Sequence, residues 1–209
     1  MVRGAVHRFA VGGMVNGLAL LWDYETGTYW DHVTGEALHG PLKGERLDVW
    51  GIEVTTVAAA LAEYEAPELH RSSAAPIRAG LMRMITGSDM DMIHKGAGRL
   101  SKAMTALGFR RTMPAVDNRL PEMAQGLGLF EGDQAVFYPM DRITDAGIRD
   151  NWRGKSIVIR KGKIDRIPVA VYEDDESARP MQLLMRWYGF CLTFPRARIY
   201  GEEEDKADG

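Results

Sequence analysis

A single cysteine in 209 residues rules out an intramolecular disulfide framework and a zinc site built from cysteines. That residue, Cys191, sits in the apolar context Tyr188-Gly189-Phe190-Cys191-Leu192, which predicts a buried, inert thiol. No apolar run reaches the roughly 20 residues that a membrane-spanning helix needs. The nearest approach, Met181 to Phe194, is interrupted by Arg186. The N-terminal residues Met1 to Arg8 lack the apolar core of a signal peptide, so the chain as written is expected to stay in the cytoplasm. There is no P-loop, and Gly12-Gly13 lacks the third glycine of a dinucleotide-binding turn. No Gly-x-Ser-x-Gly turn presents a nucleophile. A formal net charge of -3 is too small to name a charged partner.

What is present is an ordinary globular composition, 45% hydrophobic and 26% charged, long enough to bury a core. The pattern predicts an α+β fold: mostly antiparallel sheets and hairpins with a few packed helices, in two pseudo-repeated halves within one compact domain. Residues 1–70 read as a strand-rich first half. Strands are expected at Ala5–Val11, Gly17–Asp23, from Thr28 to Trp30 and at Leu47–Trp50. A helix follows, capped by Thr55 or Thr56, with Val57, Leu61 and Tyr64 on one stripe and Pro67 as its stop. Residues 71–120 read as a basic helical linker, with nine Lys/Arg against three acids over 70–120 and short helices expected at 76–86 and 97–107. Residues 121–201 read as a second strand and helix half. Hairpins are expected at Gly126–Tyr138 and Lys155–Tyr172, with Lys155–Arg166 a charged, protected sheet edge. One or two helical turns fit Met140–Gly147. A last helix is expected from Met181 to Leu192, stopped by Pro195, with a closing strand at Ala197–Tyr200. Residues 202–209 read as a disordered acidic tail.

The stretch Gly12-Gly13-Met14-Val15-Asn16-Gly17, then Asp23 to Glu36 with its Glu25-Thr26-Gly27 and Thr34-Gly35-Glu36 turns, then His39-Gly40-Pro41-Leu42-Lys43-Gly44, resembles the bacterial and archaeal domain of unknown function 3179. Thr55-Thr56, Asp117-Asn118-Arg119-Leu120-Pro121, Ala135 to Met140 and Trp187 to Gly201 are similar to later parts of its pattern. Two departures stand out. The family carries an earlier segment with a cysteine-containing strand, so this chain is expected to be a short variant or to start late. The family's Asn-Asp pair stands here as Asp150-Asn151, in reversed order. The resemblance implies a fold and names no substrate.

Asp31, His32, Glu36 and His39 place two imidazoles and two carboxylates within nine residues, a donor set suited to a divalent metal ion. His7 or His70 would complete the set. The same residues also suit acid–base chemistry by His32 with Asp31 or Glu36, or a plain hairpin turn with histidines bonded to backbone. Tyr29, Trp30 and Asn16, with Trp22 and Trp50 nearby, are candidate walls for a small-molecule ligand or, equally, core. Met82, Met84, Met90, Met92 and His94 offer soft ligands for Cu(I), or gap-filling side chains. The functional expectation is a metal or small-molecule site within Trp30–Gly44. The alternatives are a non-catalytic interaction or accessory module, and anion or nucleic-acid binding through 71–111, which lacks interleaved aromatics.

Overall fold

The computed structural model describes residues 2–68 and 109–202. The expected helices at 76–86 and 97–107, the Met82–His94 cluster, His70 and the tail beyond 202 lie outside the described residues. Among the described residues strand outweighs helix, and pairing is antiparallel except at one closing strand. Among the described residues no helix is long and apolar enough to cross a membrane.

The first sheet is a meander of β1 (Phe9–Val15), β2 (Leu18–Asp23), β3 (Tyr29–Asp31) and β4 (Ala37–His39). β1 starts later than the expected Ala5–Val11 and carries a bulge between Val11 and Gly13. Asn16 and Gly17 join β1 to β2 with φ of 53° and 70°. Two positive φ values in a two-residue loop match the twist of the flanking strands, and Asn-Gly tolerates them best. This sheet covers a small core of Val2, Trp30, Ala37 and Leu42, with Leu21 and Leu47 packed against it. Leu47–Trp50 does not form the expected strand. The Leu47 N–H donates to the Gly35 carbonyl, and Trp50 is 84% exposed. α1 (Val57–Glu63) begins as expected, with Thr56 Oγ1 accepting the Ala59 N–H at 3.2 Å. Its apolar stripe faces outward, and none of its residues is buried.

The second half holds β5 (Gln125–Glu131), β6 (Gln134–Pro139), β7 (Ile148–Trp152), β8 (Lys155–Lys161), β9 (Pro168–Tyr172), β10 (Gln182–Arg186), α2 (Trp187–Thr193) and β11 (Arg198–Ile199). β10-β5-β6-β11 make one sheet, with β11 parallel to β6, and β7-β8-β9 make another. Only one short 3-10 turn, Met140–Arg142, forms where helical turns were expected. Two expectations are corrected here. Residues 182–186 are strand rather than helix, because β5 supplies a full antiparallel partner from Gln182↔Leu129 to Arg186↔Gln125. A short apolar run fits either period until its neighbours are known. β8 is the central strand of its sheet and not an edge.

Two apolar clusters fill the second half. Phe137, Trp187, Phe190 and Ile199 are fully buried in one; Leu129, Tyr138, Ile143, Ile157, Ile159 and Ala170 are in the other. Gly128 lies directly under the Phe190 ring, where a Cβ would collide with it. The Gln182 amide bonds both backbone groups of Ala170, at 2.8 and 2.9 Å, and so links β10 to β9. The first half joins the second at several places, and Val33 adds its side chain to the cluster around Phe190. Asn16 donates its N–H to the Thr112 carbonyl, Leu18 packs against Gly189, and Asp165 receives Thr55 and Thr56.

Candidate functional site

The end of β2 places Asp23 at the centre of a buried polar hub. Its carboxylate is fully buried. Oδ1 accepts the Thr26 N–H at 2.6 Å, and Oδ2 accepts Trp30 Nε1–H at 2.8 Å. The Thr26 hydroxyl lies 2.9 and 2.7 Å from the two oxygens and has one proton to give. It also lies 2.7 Å from Thr28 Oγ1, which accepts the Leu42 N–H. Burial by itself would raise the pKa of Asp23; the bonds from Trp30 and Thr26 outweigh it and bring the pKa down to about 2. The carboxylate is therefore held ionised.

Three donors meet a group with about four acceptor sites. The remaining direction faces His7, just ahead of β1. His7 Nδ1 is 3.2 Å from Asp23 Oδ1, yet the pair lacks hydrogen-bond geometry, and Nδ1 is buried without a partner. The His7 side chain is only 6% exposed. Glu25, in the β2–β3 turn, completes a group whose ligand atoms all lie within 4.8 Å of one another. Its carboxylate is clasped by Arg8, whose Nε and backbone N–H each donate at 2.8 Å and lower its pKa. His7, Asp23 and Glu25 are the group of this kind among the described residues.

The residues singled out in the loop are arranged otherwise. Asp31 Oδ1 accepts the Val33 and Thr34 N–H groups at 2.7 and 2.9 Å, which shapes the Thr34-Gly35 turn. His32 is exposed, with Nδ1 2.7 Å from the Ala19 carbonyl. Glu36 lies 3.9 Å from Arg46, and His39 is exposed beside the Tyr29 ring. The four do not form a group of ligand atoms comparable to that around His7. Trp30 is wholly buried and serves Asp23, whereas Tyr29 is half-buried on the opposite face of β3. Trp22 is half-buried against Tyr24, with ring centroids 4.7 Å apart. Asn16 Nδ2 approaches the Leu192 carbonyl at 3.5 Å. Leu192 borders an open cleft of roughly 440 Å³ lined by 114–118, Cys191, Leu192 and Pro195. Cys191 is buried, and burial pushes its thiol pKa up. Of the basic stretch 71–111, the described part is Phe109 to Arg111, where Arg110 pairs with Glu122 at 2.6 Å.

A second polar group holds the other sheets together. Tyr138 Oη–H and Arg198 both donate to Asp150 Oδ2, at 2.8 and 2.7 Å. Burial, then Asp150, pushes the Tyr138 pKa up. Asn151 Oδ1 accepts the Gly154 N–H in the β7–β8 turn. The Asp150-Asn151 pair is thus structural in both members.

Sequence reasoning missed Asp23 and kept His7 only as a spare ligand. The available signal was local: an acid three residues before a threonine is a side-chain-capped turn, and a tryptophan four further on can donate to it. The family model described as protein of unknown function (DUF3179) matches residues 1–185. No curated protein and no solved structure matches the chain.

Proposed function

The chain belongs to the DUF3179 family, whose description assigns no function, and from that premise we propose that it binds a divalent cation through His7, Asp23 and Glu25. One observation carries the reading: a buried imidazole nitrogen without a hydrogen-bond partner stands 3.2 Å from a buried ionised carboxylate. Ligand atoms about 2.0–2.1 Å from zinc, at angles near 90–110°, lie roughly 2.9–3.4 Å apart. The His7–Asp23 spacing falls inside that interval. A cation between them would satisfy the imidazole and the open acceptor direction of Asp23, and Glu25 would turn from Arg8 to supply a third ligand. The nitrogen and carboxylate donors suit a borderline first-row ion, zinc foremost. The role is binding. It is compatible with an accessory module and includes no reaction step.

Thermal melting of the purified chain with Zn, Mn, Fe, Ni and Cu salts tests this. An ion at 100 times its dissociation constant stabilises by about 2.7 kcal/mol. The shift is expected for wild type and for a His32→Ala/His39→Ala double variant, and expected to vanish in His7→Ala. No shift with any ion ends the proposal. A shift lost in the double variant and kept in His7→Ala moves the site to the Trp30–Gly44 loop.

A small molecule in the cleft beside Leu192 is the second reading, favoured because Asn16 alone among Asn16, Tyr29 and Trp30 bonds a residue lining a concavity. Leu192→Trp would fill it and block such a ligand. The internal repeat also stays a proposal. Element order supports it, since hairpins lead to a helix followed by Pro67 or Pro195, while the strand orders of the halves differ.

A further inference from the structure

Arg8 holds both carboxylate oxygens of Glu25. Its Nε–H donates to Oε1 and its backbone N–H donates to Oε2, each at 2.8 Å. The two donors differ in how firmly they are placed. The backbone donor belongs to the sheet, because the Arg8 carbonyl accepts the Tyr24 N–H at 3.0 Å and so continues the β1–β2 pairing by one residue. The guanidinium sits on a long stem, in a side chain that is 76% exposed. The acid it holds has ligand atoms of His7 and Asp23 within 4.8 Å.

We propose that the Arg8 guanidinium is a built-in competitor for the cation site of His7, Asp23 and Glu25, holding Glu25 Oε1 until a dication displaces it. The inference rests on the cation reading above and adds what regulates that site. Charge supports the exchange. With a neutral imidazole the three ligands carry two negative charges, and Arg8 offsets one of them. A dication takes over that role and also reaches the His7 nitrogen, which Arg8 leaves without a hydrogen-bond partner. Geometry supports it too. Losing the guanidinium leaves the backbone N–H on Oε2, so Glu25 stays beside the site while Oε1 is freed for the ion. The released guanidinium has a resting place, since Arg8 Cζ already lies 5.4 Å from the centroid of the Tyr24 ring. The clasp is weak enough to yield, because exposed ion pairs hold by a factor of about five at most.

Calorimetric titration of the full chain with a zinc salt alone tests it, the site's own heat being the part lost on adding His7→Ala to each background. Arg8→Ala, which keeps the backbone donor, is expected to bind about fivefold more tightly than wild type. In a Glu25→Gln background the same change is expected to gain less than about twofold, because the competition acts through that carboxylate. His7-dependent binding that is unchanged or weaker in Arg8→Ala overturns the proposal and leaves the cation reading standing. A fivefold gain that persists in Glu25→Gln overturns it as well, since overall charge would then be the cause. His7-dependent heat seen in Arg8→Ala and not in wild type supports it, as a clasp too firm for the salt to open. No His7-dependent heat in any background ends both the proposal and the cation reading.

Discussion

The first sheet and the sheets of the second half are held by different forces. Around β1–β4 the buried apolar cluster is four residues, and the segment is drawn together by side-chain bonds: Asp23 to Thr26 and Trp30, Asp31 to Val33 and Thr34, Thr28 to Leu42. Around β5–β11 the polar links sit on top of two large apolar clusters with interlocked aromatic rings. Directional bonds specify a unique arrangement but contribute about 1 kcal/mol each, or 1.5–3 when one partner is charged. Burying a large side chain contributes more and tolerates more distortion. The first region is therefore the more exactly specified and the second the more robust.

The largest way to break that contrast is Phe190→Ala. Phe190 is fully buried against Gly128, Phe137 and Phe194. A loss of about 3–5 kcal/mol is expected by urea denaturation, reported by the whole second half. Asp23→Asn comes next, at about 2–3 kcal/mol, because an amide turns one acceptor oxygen into a donor facing Thr26 N–H or Trp30 Nε1–H. Its effect should be confined to the amides of β1–β4. Acid sharpens the same comparison. The Asp23 pKa is lowered from 3.8 to about 2, so its contribution is fully present above pH 3.8 and is lost as pH falls toward 2. In that window, exchange of the β2–β3 amides should accelerate before that of β5–β6.

Asp165→Ala probes the seam between the regions. Asp165 accepts Thr55 Oγ1–H at 2.7 Å and the Thr56 and Ile167 N–H groups, and these bonds hold its pKa down against burial. A loss of about 1–3 kcal/mol is expected, with α1 exchanging faster while both sheets persist. The smallest effect belongs to Arg196→Ala. It removes a pair with Asp133 in which both side chains are about four-fifths exposed, and the denaturation midpoint should not move.

Legibility followed the same division. The β5–β6 hairpin could be read because an apolar run, the Gly132-Asp133 turn and a second apolar run lie consecutively in the chain. The Thr56 cap and the closing strand were readable for the same reason: their signals are local. β10 was not, since Met181 to Leu192 matches a helical period and only β5, more than fifty residues earlier, makes part of it strand. β7 was missed because Arg149, Asp150 and Asn151 hide the inward-facing Ile148 and Trp152. In the candidate site, His32 and His39, grouped by spacing, are exposed, whereas the buried His7 side chain lies sixteen residues from Asp23, the carboxylate it faces. Sequence spacing does not reveal which strand end a side chain will meet.

The parallel pairing of β11 with β6 has a bearing on synthesis. Ile199 lies beside Phe137, about sixty residues later in the chain, a stretch a ribosome makes in roughly 3–12 s. For that interval one flank of β6 waits with its peptide groups open, beside a nascent hairpin that is already apolar. A strand donated by a neighbouring polypeptide competes for that flank until β11 arrives, so the edge of β6 is where mis-pairing is to be expected during folding.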